Sequence, residues 1–465
     1  MSRSVPPTHF RGQRVLLMGL GRHGGGIATA KWLVKQGAQL LVNDKQTKTQ
    51  LSDSIKQLRG LNYRGHFGAQ TLADVRWADR IVVNPGMHPN IPELRLASKQ
   101  RKLIDNEASI FVRQFPGTLI GVTGTRGKTT TTLLLGAMIT AAHRDTIISG
   151  NVRQVPMLSY LPKAKSTTSA VLELSSYQLE RLPVVGKPFH IAVMTNLKVD
   201  HISRHGTMKN YANTKYNLFR GQTNKDFAVL NYDDPYCRAA AKVSASLNIW
   251  FSLKLPNKVN GFTIGNGWVI EQLDGTTHKI MSLSHWTLPG EHNLMNLLAA
   301  TAAASAYGVS PKVVINAVKK FHGVPYRQEK IRSYKGHDMI NDTAATSPDG
   351  MLAALAVYSQ AVCICGGTDK QLDFHALAKD IVRRNVKTVF LPGTATVQLQ
   401  ALLKKFKYRQ PIISVHSMKS AVTTALVLAT PRQPIILSPG CASFGLFLHE
   451  FDRGDQFNQV VNNLS

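Results

Sequence analysis

Thr118-Leu-Ile-Gly-Val-Thr123-Gly124-Thr125-Arg126-Gly127-Lys128-Thr129-Thr130-Thr-Thr-Leu-Leu-Leu135 decides how the chain is read. A short apolar run becomes a glycine-rich turn, and the turn opens into a segment with helix-length spacing, which together predict strand, loop and helix. Glycines let the backbone curl so that amide N–H groups face an anion, and a helix N-terminus adds its partial positive charge. Lys128 can then reach the β and γ phosphates of ATP, and the Thr129 hydroxyl can ligate Mg²⁺. The usual spacing puts a glycine five residues before Gly127, where this chain has Val122. The loop is therefore a shorter variant with its functional end intact.

Outward from this stretch, apolar β-rich runs alternate with amphipathic segments almost from end to end, the rhythm of parallel sheets joined by crossover helices. Val15–Met18, a helix over Gly25–Gln36 and Leu40–Asn43 make a first unit. Thr118–Val122, a helix over 129–142, Ala170–Leu174 and Ile191–Thr195 make a second. Met339–Asn341, Ala361–Cys365, Thr388–Leu391 and Ile435–Leu437 make a third. The expected fold is α/β, three open, mostly parallel-sheet domains: Rossmann-like at the N-terminus (1–104), P-loop-ATPase-like in the centre (105–326) and Rossmann-like at the C-terminus (327–465).

The 465 residues suffice for three cores. Lys and Arg total 56 against 27 acidic residues, a net charge of +29 that bears on partners and solubility and not on fold. The basic residues are scattered, aromatics are 7%, and no basic stripe with interleaved rings appears, so a nucleic-acid partner is not expected. Four cysteines are no disulfide framework; Cys363 and Cys365 share one strand face and read as core thiols of a reducing compartment. The apolar run near the N-terminus is too short for a signal peptide, and no stretch is long enough to cross a bilayer. A cytoplasmic protein without membrane insertion is expected.

Further motifs also follow strands. Glu173, in Leu172-Glu-Leu-Ser175-Ser-Tyr-Gln-Leu-Glu180, ends a buried strand, where a carboxylate beside triphosphate would bind Mg²⁺ or its waters; alone it would read as an edge carboxylate. Thr195-Asn196-Leu-Lys-Val-Asp200-His201 and Tyr211-Ala-Asn-Thr-Lys215 come next. Gly19-Leu-Gly21-Arg22-His23-Gly24, with Asp44 ending the following strand, fits a nucleotide fingerprint, a weak signal by itself.

Together the short loop, the Glu-Leu-Ser-Ser-Tyr-Gln-Leu-Glu run, Asp200-His201 and Lys215 resemble the Mur ligases of peptidoglycan synthesis, particularly the branch that adds D-glutamate. The resemblance spans nearly the whole chain and extends to Gly290-Glu-His-Asn293-Leu-Met-Asn296, Tyr326-Arg327, Asn341-Asp342-Thr-Ala-Ala-Thr346, Gly366-Gly-Thr-Asp-Lys370 and Ser438-Pro-Gly-Cys-Ala-Ser443. It implies an ATP-dependent amide ligase acting through an acyl phosphate. Gly124 to Thr130, Asn293, Asn296, Arg327 and Asp342 would bind ATP. Two Mg²⁺ would be held by Thr129, Glu173, His201 and Lys215, the lysine carrying a CO₂-derived carbamate; Lys128, Glu173, His201 and Lys215 are the catalytic candidates. Gly21, Arg22, His23, Asp44, Asn84, Gly86, Asn151 and Ser175 would contact UDP-N-acetylmuramoyl-L-alanine, which makes UDP a better occupant than NAD. Thr346, Lys370 and Ser443 would take the amino acid, and the expected state is a monomer.

Two positions depart from the D-glutamate pattern. Ala344 stands where a lysine is usual, and Glu450 where Phe or Tyr is usual, with Phe451 one place away. Both changes weaken the case for a dicarboxylic amino acid, and a one-residue helix shift would restore the aromatic ring. D-Glutamate leads, with L-glutamate or another amino acid as the alternative. A folylpolyglutamate-type ligase would share the ATP site, and a non-catalytic nucleic-acid-binding scaffold is the reading from another class.

Overall fold

The computed structural model describes residues 9–21, 24–142, 144–152, 155–182, 187–369, 372–443 and 446–464. The chain divides into two compact units, Met1–Thr287 with Glu291–Phe321, and Leu288–Gly290 with His322–Ser465.

The first unit holds two sheets. One contains β1 (Arg14–Met18), β2 (Gln39–Asp44), β3 (Arg64–Phe67), β4 (Arg80–Val83) and β5 (Leu103–Asp105), all parallel in the order β3-β2-β1-β4-β5. Its central strands are apolar because both faces are covered: Val15, Leu17 and Val42 pack on one side, and Leu16, Met18 and Ile81 on the other. The order reverses between β1 and β4, the place where open α/β sheets bind ligands at the C-terminal ends of their strands.

The second sheet contains β6 (Thr118–Thr123), β7 (Thr146–Gly150), β8 (Ser169–Glu173), β9 (Ile191–Met194), β10 (Phe227–Asn231), β11 (Leu247–Phe251), β12 (Gly261–Gly265), β13 (Trp268–Leu273) and β14 (Thr276–Ser282). Their order is β14-β13-β12-β11-β10-β9-β6-β8-β7. The chain leaves β6 for the far edge and later returns to its other side, so β6, β8 and β9 end side by side at the switch point. Helix Lys128–Ala141 packs its Leu134, Leu135, Met138 and Ile139 against Ala299, Ala302 and Ala303 of helix Glu291–Ala306, whose small side chains allow close approach. β13 and β14 are antiparallel additions that the parallel pattern from sequence did not include. They are half-exposed and polar on one face, and so carry little apolar signal.

The second unit has one sheet, β15 (Glu329–Tyr334), β16 (His337–Asn341), β17 (Val362–Cys365), β18 (Thr388–Phe390), β19 (Ile413–Ser414) and β20 (Ile435–Leu437), ordered β15-β16-β20-β17-β18-β19. Only β15 is antiparallel, pairing with β16. Cys363 and Cys365 are buried free thiols on one face of β17. Among the described residues no helix is long and apolar enough to cross a membrane.

One charge cluster stitches the first unit together. Asp105, 1% exposed at the end of β5, accepts from Arg80 Nε at 2.7 Å, from the Ser109 hydroxyl at 2.8 Å and from Arg113. The Arg80 guanidinium also lies 4.1 Å from the Phe10 ring centroid. Removing one member of such a buried cluster leaves uncompensated charge. Asp105→Ala is expected to lower unfolding stability by about 3–5 kcal/mol in urea denaturation; a loss below about 1 kcal/mol would mean the two arginines find other partners.

Candidate active site

The glycine-rich turn follows β6, and Gly127 (φ 82°) caps helix Lys128–Ala141 in the left-handed region. Two residues after β9 clamp the turn. Thr195 Oγ1 donates to Arg126 O at 2.6 Å, Asn196 Nδ2 donates to the same carbonyl at 3.1 Å, and Asn196 Oδ1 accepts from Arg126 N at 3.0 Å. Thr125 N donates to Asn196 O at 2.9 Å. The sequence reading gave Thr195 and Asn196 no role, although their place after a strand was the available signal. Asn296 closes the other side. A Cβ on Gly127 would sit 2.2 Å from Asn296 Oδ1, and Thr131 Oγ1 lies 3.4 Å from that oxygen. Asn293 Oδ1 accepts from Asn296 Nδ2 at 3.4 Å, so the pair expected near the nucleotide shares one helix face. Lys128 Nζ donates to Thr125 O at 2.9 Å, folded over the loop it would complete.

Behind the loop lies Lys215, on helix Met208–Tyr216 and only 1% exposed. Its Nζ donates to Gly124 O at 2.8 Å and to Thr123 Oγ1 at 3.3 Å, and it lies 4.8 Å from the Tyr211 ring centroid. Burial drives its pKa well below the ordinary lysine value; Lys128 adds to the fall, while Asp200 and Glu173 oppose it. Burial thus disfavours the charged form of this amine.

Glu173 ends β8, 1% exposed. Asn151 Nδ2 donates to Glu173 Oε1 at 2.9 Å, and the Asn151 amide donates to Glu173 O at 2.8 Å. Among the described residues Glu173 Oε2, which is buried, has no hydrogen-bond partner. An unsatisfied buried carboxylate oxygen is costly in protein alone and well suited to a hard cation. His201 has φ 53°, an unusual value for a non-glycine residue. Its Nδ1 lies 3.1 Å from the Tyr177 hydroxyl. Burial lowers its pKa, Lys215, Lys128 and Arg126 lower it further, and Asp200 opposes them, which favours a neutral imidazole. Among the described residues no three His, Cys, Asp or Glu side chains form a ready metal cage. A divalent ion here would take Glu173 and Thr129 as ligands, and a second ion would take His201. The donor set fits Mg²⁺ at Glu173, whereas a protonated Lys215 would repel it.

At the switch point of the first sheet, Gly21 N donates to Asp44 Oδ2 at 3.0 Å and Ser54 Oγ to Gly21 O at 2.8 Å. Asn84, at the end of β4, donates from its amide to Met18 O at 2.9 Å, and its Oδ1 accepts from Gly86 N at 3.0 Å. Gly21, Asp44, Asn84 and Gly86 therefore meet at the C-terminal ends of β1, β2 and β4, while Arg22 and His23 lie outside the described residues. Ser175 caps helix Ser176–Leu179, accepting from Gln178 N at 3.3 Å, a local structural contact.

In the second unit Asp342 follows β16. Its Oδ2 accepts from Ser438 Oγ at 2.8 Å and its Oδ1 from Gln328 N at 3.1 Å. Burial pushes its pKa up to about 7, against the pull of those bonds and of Arg327. Thr346 N donates to Ala344 O at 2.9 Å, and Ser443 is buried nearby in sequence to the strand β20 end. Lys370 lies outside the described residues. Phe451, not Glu450, faces Tyr326, with ring centroids 5.5 Å apart.

This arrangement of a clamped phosphate loop, an orphaned carboxylate oxygen and a buried lysine agrees with sequence comparison. The profile described as "Mur ligase MurD-like, N-terminal domain" matches residues 13–104, "Mur ligase middle domain" matches 122–304, and "Mur ligase, glutamate ligase domain" matches 326–441. A UDP-N-acetylmuramoylalanine--D-glutamate ligase from a Roseiflexus species is 41% identical over 98% of this chain and 99% of its own length. The chain belongs to the Mur ligase family. Members of this family are ATP-dependent ligases that build peptidoglycan precursors. A second relative of the same name, from Koribacter versatilis, is 34% identical over 98% of both chains. Among solved structures, UDP-N-acetylmuramate-alanine ligase MurC from Thermotoga maritima aligns with a TM-score of 0.61, at 17% identity over 97% of this chain and 99% of its own. MurF from Acinetobacter baumannii aligns at 0.57, with 17% identity over 99% and 93%. These two show a common Mur ligase fold.

The close fit of Gly127 in this Mur ligase gives a test. In Gly127→Ala the methyl meets Asn296 Oδ1 and the backbone keeps a positive φ that alanine resists. Affinity for a non-hydrolysable ATP analogue, measured by calorimetry, is expected to fall at least about tenfold, that is by about 1.4 kcal/mol. Unchanged affinity would show that the loop has another open conformation for nucleotide.

Proposed function

We propose that this chain ligates glutamate, with D-glutamate favoured, to UDP-N-acetylmuramoyl-L-alanine at the expense of ATP. The observation that carries the reading is the buried Glu173 carboxylate. Asn151, a candidate sugar-nucleotide contact, holds one oxygen; the other is unpartnered beside the phosphate loop. The crevice at Gly21, Asp44, Asn84 and Gly86 takes the UDP portion. Lys128 withdraws from Thr125 O to neutralise the β and γ phosphates, and the loop amides cradle them. The substrate's alanyl carboxylate attacks the γ-phosphorus and ADP leaves, giving an acyl phosphate. The amino acid's amine then attacks the acyl carbon, phosphate departs, and the amine loses a proton. Because this chemistry depends on positioning and charge neutralisation, the fixed dipoles and cations supply most of the acceleration. Mg²⁺ bound at Thr129 and Glu173, with a second ion at His201, would supply further compensation for phosphate charge.

Lys215 completes the set as a carbamate. Burial disfavours the charged form of this amine; as the neutral amine it adds to the carbon of CO₂ and sheds one proton, becoming an anionic oxygen ligand for the second Mg²⁺. Arg327 and Asp342 are further candidate ATP contacts, Asp342 for the ribose. Thr346, Lys370 and Ser443 serve the amino acid. The protein acts as a cytoplasmic monomer without nucleic-acid or membrane partners.

Phosphate release with UDP-N-acetylmuramoyl-L-alanine is expected with D-glutamate and to fall at least about 10³-fold in Lys128→Ala, a barrier increase near 4 kcal/mol. Scanning D-glutamate, L-glutamate and neutral amino acids decides the acceptor. Near wild-type turnover in Lys128→Ala would overturn the assignment of the loop. For the carbamate, carbon-13-labelled bicarbonate should yield a carbamate NMR signal that disappears in Lys215→Ala; its absence from the wild-type chain would remove that modification.

A further inference from the structure

Between the sugar-nucleotide crevice and His201 runs an unbroken set of contacts that the reaction above does not use. Its centre is Arg204, whose side chain is 7% exposed. Arg204 Nε donates to Glu180 Oε1 at 2.6 Å and Nη2 to Glu180 Oε2 at 2.8 Å, a bidentate pair that fixes the guanidinium plane. The same Nη2 donates to Pro85 O at 3.0 Å, gripping the loop between Asn84 and Gly86. The Arg204 carbon Cζ lies 4.0 Å from the Tyr177 ring centroid, and that ring's hydroxyl meets His201 Nδ1 at 3.1 Å. At the other end, Asn84 reaches β1 through Met18 O, and Asn84 Nδ2 donates to Gly19 O at 3.4 Å. Every link lies within the first compact unit.

The chemistry of these links is directional. A hydrogen bond to one ring nitrogen fixes the orientation of an imidazole whose other nitrogen is free to ligate, and such supporting bonds change metal affinity by about 10–100-fold. A cation stacked on the ring restrains Tyr177 further. Lysine cannot replace Arg204, because one ammonium cannot hold both carboxylate oxygens in a plane, stack on the ring and reach Pro85 O.

We propose that Arg204 and Tyr177 are positioning residues that couple sugar-nucleotide binding at the Asn84–Gly86 loop to divalent-metal binding at His201. This rests on the function proposed above, in placing the sugar nucleotide at that loop and a metal at His201. Filling the crevice fixes the Pro85 carbonyl, which fixes Arg204, and through Tyr177 fixes the His201 ring. By linkage, metal at His201 tightens sugar-nucleotide binding by the same factor.

The test is equilibrium binding on the full chain, with no turnover needed. Mn²⁺ is titrated by electron paramagnetic resonance with and without saturating UDP-N-acetylmuramoyl-L-alanine, and the sugar nucleotide by calorimetry with and without Mn²⁺. The wild-type chain should bind each ligand at least about fivefold more tightly when the other is present, a coupling near 1 kcal/mol. Tyr177→Phe should weaken Mn²⁺ about tenfold and leave the melting temperature unchanged. Arg204→Ala and Arg204→Lys should both abolish the mutual effect. If Arg204→Ala fails to fold, Tyr177→Phe and Arg204→Lys carry the test. A wild-type chain that binds both ligands independently, or coupling that survives in Arg204→Lys, overturns this proposal alone. A chain that binds neither ligand overturns it together with the function it rests on.

Discussion

A lysine held at 1% exposure behind a phosphate-binding turn is the constraint around which the first unit is arranged. An ammonium taken out of water loses several kcal/mol of hydration unless it is paired. Among the described residues Lys215 has no carboxylate within hydrogen-bond reach; its acceptors are the carbonyl of Gly124 and the hydroxyl of Thr123. Both belong to the segment that forms the phosphate loop, so the buried amine and the loop hold each other in place. The surrounding charges express the same tension, with Lys128 opposing a positive Lys215 while Asp200 and Glu173 favour one. Glu173 meanwhile has one oxygen without a partner among the described residues. The cluster carries a carboxylate in need of a cation and an amine that is poorly placed to be one. A dication at Glu173 and an anionic group on Lys215 would remove both costs together.

The switch points decide where these groups can meet. In each sheet of the first unit the strand order reverses beside the first glycine-rich turn, and the helices leaving neighbouring strands part there. Gly26 shows how tightly the first turn closes: a Cβ on it would fall 2.1 Å from Leu20 O. The loop after β4 fills the remaining side through Asn84. In the second sheet Thr195 and Asn196 play the equivalent part, bracing the turn from a neighbouring strand. Both crevices are thus assembled by a turn and by the residues that follow an adjacent strand.

That geometry separates what the sequence disclosed from what it withheld. Strand, glycine-rich turn and helix are local, so Thr118–Leu135 announced its fold and its anion site, and Glu173 and His201 stood out because they follow strands. The β13–β14 hairpin went unread because a half-exposed edge has no sustained apolar period. Arg204 went unread for another reason. Its partners Glu180 and Pro85 are 24 and 119 residues away, and nothing local distinguishes it from the many other basic residues of a chain with +29 charge. Asn151 was expected only at the sugar nucleotide, and its bond to Glu173 became visible once β7 and β8 lay side by side.

The same distinction bears on the two departures from the D-glutamate pattern. Counting charges along the sequence, Ala344 removes a cation and Glu450 adds an anion. The second unit distributes charge differently. Arg453 is fully buried, its Nε donating to Thr343 Oγ1 at 2.9 Å and Nη2 to Thr343 O at 3.0 Å. Those acceptors are neutral, and although burial lowers its pKa to about 10, the guanidinium stays charged at neutral pH. A full positive charge therefore sits directly against Thr343, beside the Ala344–Thr346 segment. Glu450 is tied in by its backbone carbonyl, which accepts from the Thr343 hydroxyl at 2.8 Å, while Phe451 supplies the ring next to Tyr326. An interior cation acts through a lower dielectric than an exposed one and is weakly screened. Glu450 acts on the same guanidinium and opposes the fall in its pKa, so the two charges partly offset each other and a charge count along the sequence does not decide for or against glutamate.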